Sequence, residues 1–127
     1  MIYETNTHSG REQLYNLSMV NKMCRGKQES ILKMVTVFIS QISQSVQQIT
    51  VANQKKDFGK IKNEIHKVKP TLTYYGTAKI EKELRVLEKL VLGSFTEKEI
   101  EMNINTLNTI TNQTVAKMKI DFSISNN

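Results

Sequence analysis

Apolar side chains recur along this chain in alternating steps of three and four. Ile31, Val35, Phe38, Ile42, Val46 and Ile49 form one series, widened by Met34 and Ile39. Phe58, Ile61, Ile65, Val68, Leu72 and Tyr75 form a second, and Ile80, Leu84, Leu87 and Val91 a third. Ile100, Ile104 and Leu107 begin a fourth, continued less regularly by Ile110, Val115 and Met118. Each series is the buried seam of an amphipathic helix. A shorter one, Leu17, Val20 and Cys24 with Met23 nearby, precedes them. The pattern predicts a short helix over Leu14–Arg25. It predicts long helices over Lys27 to about Gln54, Asp57 to Tyr74 or Tyr75, Thr77–Leu92, and from Thr96 onward.

Local chemistry supplies the ends. Asn16 suits an N-cap and Gly26 a C′ position. Asp57 offers a carboxylate to free N–H groups and to the helix dipole. Gly76 fits a left-handed C′ residue, Thr77 suits a cap, Gly93 and Ser94 form a turn, and Thr96 with Glu99 forms a capping box. Pro70 falls inside a predicted helix. It has no N–H for the carbonyl of His66, so a local bend is expected there. The seam continues through Leu72 and Tyr75, so the helix is expected to continue as well. The outer face of the last helix is rich in Asn and Thr, poor helix formers, so its C-terminal part is expected to fray. Residues 1–13 and 121–127 read as flexible tails, and His8 has no partner in sequence and no expected role. The fold expected is all-α: an up-down-up-down four-helix bundle with a short extra N-terminal helix packed across one end, occupying residues 14–120.

Composition narrows the function classes. A chain of 127 residues suits one compact domain, and five Gly with one Pro favour long helices. The longest apolar run falls well short of a membrane span. The N-terminus lacks a basic-then-apolar signal pattern. The single Cys24 cannot form an internal disulfide and reads as a small packed side chain, which points to the reducing cytoplasm. The start at Met1 and the compact length suggest a stand-alone protein, and a monomer is expected.

Charge then draws attention to one segment. The chain carries +6, and Lys55–Lys69 holds six lysines against two acids. Such a patch suits an acidic partner surface, although lysines also serve simply to solvate a helix face. Within it, His66 lies one residue past the seam residue Ile65, about 100° around the helix, on the flank of the buried stripe. Lys62 and Lys69 share its face. An imidazole can be a neutral nucleophile at cellular pH, and neighbouring lysines stabilise negative charge carried on it. Glu88 is likewise one step off the seam of the following helix. A tight turn between antiparallel helices would bring His66 and Glu88 together.

The run His66-Lys67-Val68-Lys69, Gly76 ten positions after the histidine and Glu88 twenty-two after it resemble the histidine-containing phosphotransfer (HPt) domain. That family's pattern is His-x-x-Lys-Gly, a later Gly, and Glu or Gln on the next helix. The resemblance also takes in Leu17–Met23, the Phe38 helix and Asp57, and extends from Leu14 to about Met118. One position departs: Pro70 stands where the family usually has Gly. The resemblance implies that His66 accepts a phosphoryl group from a receiver-domain aspartate and passes it to another receiver. Lys69 would hold the phosphoryl oxygens and Glu88 would orient the ring. Lys62, Lys67, Pro70, Thr73 and Gly76 would face the partner, although Gly76 also reads simply as a helix terminator. The implied partners are response-regulator receiver domains and a hybrid sensor histidine kinase. No cofactor or metal site is expected in this chain, because the divalent metal would come from the receiver. The implied role is a carrier and not an enzyme, with no membrane or nucleic-acid partner. The competing readings are a basic nucleic-acid-binding module and a helical adaptor that binds a receiver without phosphotransfer.

Overall fold

The computed structural model describes residues 13–125. The tail segment 1–12 with His8, and residues 126–127, lie outside the described residues. Among those described, the chain forms five helices and no strand: α1 (Ser18–Met23), α2 (Gln28–Gln54), α3 (Phe58–Tyr74), α4 (Ala78–Leu92) and α5 (Glu97–Asp121). The fold is all-helical. The long helices contact one another in a closed order: α2 packs on α3 and α5, and α4 packs on α3 and α5.

The apolar seams become the core. Ile31, Val35, Phe38, Ile42, Val46 and Ile49 of α2 are buried, as are Ile61, Ile65, Val68 and Leu72 of α3. They meet Ile80, Leu84 and Leu87 of α4 and Ile100, Ile104, Leu107 and Met118 of α5. Each such aliphatic or aromatic side chain removed from water stabilises the fold by about 1.5–3 kcal/mol before entropy is counted. Phe38 stacks on Tyr75 with ring centroids 4.3 Å apart, tying the middle of α2 to the end of α3.

Helix ends follow the expected chemistry at Asp57 and Thr96, whereas Gly26 stands one residue past the C′ position of α1, which Arg25 takes at φ +52°, and two further ends differ. The Asp57 carboxylate accepts from Lys60 N at 3.1 Å, and Thr96 with Glu99 forms the reciprocal capping box. At Thr77, however, the hydroxyl is buried and donates to Leu72 O (3.1 Å), so it finishes α3 and does not cap α4. α1 is shorter than the Leu14–Arg25 pattern predicts, because Asn16 is used differently. Its Oδ1 accepts from Ser18 N at 2.9 Å, while its own N–H donates to Tyr75 O at 3.1 Å. The segment before α1 is thereby laid against the turn between α3 and α4. Tyr15 adds a hydrogen bond from its hydroxyl to Asp121, linking this segment to the end of α5.

α3 passes through Pro70 without interruption, as the continued seam requires. α5 reaches Asp121 despite its poor helix formers. Thr106, Thr109 and Thr114 each donate to the carbonyl four residues back. Met118 is fully buried and anchors the last turns. Beyond Asp121, Phe122 and Ile124 pack against the core, where the sequence suggested the start of a loose tail.

Candidate functional site

The α3–α4 pair carries the site. The chain reverses through Tyr75, Gly76 and Thr77, with Gly76 at φ +65°. Its left-handed backbone closes α3, with Thr77 N bonded back to Leu72 O at 3.0 Å. Glycine is required here for a second reason. A Cβ at residue 76 would lie 2.4 Å from Asn16 O and 2.7 Å from Asn16 N. Gly76 therefore packs against its own chain.

The tight reversal sets an antiparallel register between α3 and α4. His66 of α3 meets Glu88 of α4, and Thr73, seven residues further along α3, meets Glu81, seven residues back along α4. Each residue lies on the flank of its seam, so each meeting falls at the rim of the helix pair.

His66 Nε2 lies 3.2 Å from Glu88 Oε2, and Lys69 Nζ lies 3.3 Å from Glu88 Oε1. One carboxylate thus serves two bases, one oxygen to each. The imidazole is 59% exposed, the Lys69 side chain 36% and the Glu88 side chain 20%. The carboxylate is recessed between the helices and the imidazole stands outward. With Nε2 turned to the acid, Nδ1 is the nitrogen left to approach from outside.

The three residues expected to do chemistry are together. The remaining candidates divide. Lys62 and Lys67 are exposed on α3, on either side of His66 in sequence, and Pro70 is exposed one turn beyond it. Thr73 is exposed but engaged, its hydroxyl donating to Glu81 Oε2 at 3.4 Å. Glu81 also pairs with Arg85 at 3.4 Å, which leaves Glu88 to His66 and Lys69. The resting tie between Lys69 and Glu88 was missed by sequence reasoning, although their flank positions were its signal. Asn16 was also missed. It approaches Gly76 from sixty residues earlier, and no periodicity announces such a contact.

Among the described residues no group of three or more His, Cys, Asp and Glu side chains is arranged to hold a metal ion, and no helix is long and apolar enough to cross a membrane. The arrangement can present a nucleophilic ring nitrogen, fix the ring through the second nitrogen, and offer an ammonium group beside it. Comparisons with protein-family models, curated proteins and solved structures return no match.

Proposed function

We propose that this chain is a phosphoryl carrier of the histidine-containing phosphotransfer type, built as an up-down-up-down four-helix bundle with a short extra N-terminal helix. The closed order of helix contacts and the short connections support that architecture. The observation that carries the functional reading is the His66–Glu88–Lys69 cluster, with its imidazole outward and its carboxylate recessed.

In the proposed reaction a ring nitrogen lone pair of His66 attacks the phosphorus of an aspartyl phosphate on a receiver domain. The P–N bond forms as the P–O bond to the aspartate breaks, and the electron pair leaves with the regenerated carboxylate. The ring gains positive charge, which Glu88 stabilises by accepting its other N–H. Lys69 turns from Glu88 to the phosphoryl oxygens, whose charge it offsets. The reverse step delivers the group to a second receiver. Such transfer needs in-line approach and charge neutralisation more than covalent chemistry by the carrier. The divalent metal belongs to the receiver. Exposed Lys62 and Lys67 give the surface around His66 a positive character suited to a receiver's acidic pocket. The partners proposed are response-regulator receivers and a hybrid sensor kinase, met by a monomer in the cytoplasm.

The test is incubation of the full chain with phosphorylated receiver domains. The expected product is an acid-labile, base-stable phosphoryl group that is absent from His66→Gln. Receiver binding without transfer would instead make the chain an adaptor. Salt-sensitive DNA binding untouched by His66→Gln, with no transfer, would favour the nucleic-acid reading.

A further inference from the structure

Arg85 has no part in the pattern that marks His66, Lys69 and Glu88, yet the α3–α4 register places it beside them. His66 is level with Glu88 and Thr73 with Glu81, so Lys69 is level with Arg85. Both stand just under one turn, about 4.5 Å along the axis, from the His66–Glu88 level.

The angular positions pair in the same way. Counted in steps of about 100° from the buried residues of each helix, Lys69 of α3 and Glu88 of α4 both lie about 70° round toward the shared rim. His66 and Arg85 both lie about 130° round on those same sides. The exposures agree, with Arg85 at 55% close to the imidazole at 59%. The four side chains thus form two layers. A carboxylate and an ammonium are recessed, and an imidazole and a guanidinium stand above them.

Arg85 is already held in place. Its Nη1 lies 3.4 Å from Glu81 Oε2, the atom that also accepts from Thr73. Lys69 is held by Glu88 in the same manner, so each of these two cations rests on an acid of α4. An exposed pair four residues apart on one helix is weakly bound, and a stronger anion can take the guanidinium from it.

We propose that Arg85 is a second cation for the phosphoryl group carried by His66, leaving Glu81 to bind the phosphoryl oxygens from the outer layer while Lys69 binds them from the recessed one. The inference rests on the phosphoryl-carrier reading. A phosphoryl group on the ring brings more negative charge than one ammonium offsets, and the Glu88 carboxylate beneath adds to it. A guanidinium presents parallel N–H donors to two phosphoryl oxygens at once, whereas an ammonium acts as a point charge. Glu81 keeps the Thr73 hydroxyl when Arg85 departs.

The test is a phosphorus NMR pH titration of the full chain after phosphorylation by receiver domains, with the receivers then removed. It reads the second acid dissociation of the phosphoryl group. A guanidinium in contact favours the dianion, so Arg85→Gln should lower that dissociation constant about threefold, the scale of an exposed charge pair. Arg85→Lys should restore part of the loss. Glu81→Gln breaks the same ion pair but keeps the cation, and should leave the constant at or above the wild-type value. Lys82→Gln removes an equal charge from the exposed outer face of α4 and should leave it unchanged. Equal constants in wild type and Arg85→Gln, or equal falls in Arg85→Gln and Glu81→Gln, would overturn this inference and leave the carrier reading standing. A wild-type chain that takes no phosphoryl group would overturn both.

Discussion

Replacing Gly76 by Ala tests the geometry beneath the candidate site. Two costs add. A left-handed backbone costs a residue bearing Cβ about 1–2 kcal/mol, and residue 76 sits at φ +65°. The new Cβ would also meet Asn16 O at 2.4 Å, so the preceding segment must withdraw. Withdrawal strains or breaks the hydrogen bond from Asn16 N to Tyr75 O, worth about 1 kcal/mol. The total is about 3 kcal/mol, or roughly 10 °C in Tm for a domain of this size. Gly26 supplies the control. It has φ +74°, yet a Cβ there meets nothing within 4 Å. Gly26→Ala should therefore cost only the backbone part, about 1–2 kcal/mol. Urea unfolding followed by circular dichroism reads both variants. Equal losses would refute the packing argument and free Gly76 for a role against a partner.

Further outcomes follow from other contacts. Thr96→Ala removes the capping box of α5 and should cost about 1 kcal/mol in the same unfolding assay. Glu88→Gln keeps the shape of the side chain but removes the charge shared by His66 and Lys69. It should change stability by no more than about 1 kcal/mol, since the group is near the surface, and slow phosphoryl uptake on His66 by about 10–100-fold in a receiver transfer assay. Burial, with smaller contributions from Tyr74 and Cys24, raises the Tyr75 hydroxyl above its ordinary value of 10.0. The folded state thus favours the neutral phenol. That stability is fully present below pH 10.0 and is lost as pH rises through the higher folded value. Urea midpoints measured across this alkaline range should fall for the wild type and fall less for Tyr75→Phe.

The helical organisation was legible because burial imposes a period. The α2 and α3 seams are the clearest cases, their buried residues recurring at the expected steps. Asp57 and Thr96 were legible because capping is local chemistry, completed within three residues. The meeting of His66 with Glu88 was legible from two facts together: each stands one step off its seam, and the turn between them is short. Other features were hidden because one residue type suits more than one local role, or because its partner lies far away in the sequence. Thr77 looked like a cap until its hydroxyl found Leu72 O, and nothing in the spacing places Asn16 against Gly76. α5 looked weak by propensity, yet the burial of Ile100, Ile104, Leu107 and Met118 carries it to Asp121.

The α3–α4 reversal occupies only residues 75–77, and this brevity makes the imidazole and its acid interdependent in length as well as chemistry. One extra residue taken into the first turn of α4, because so short a bend has little room for it, would turn every later side chain by about 100° and advance it about 1.5 Å. Glu88 would leave the rim while Leu84 and Leu87 left the interior. An insertion there would therefore disturb the core and the His66–Glu88 contact at once, whereas lengthening the link between α4 and α5 would spare the acid's alignment with the ring.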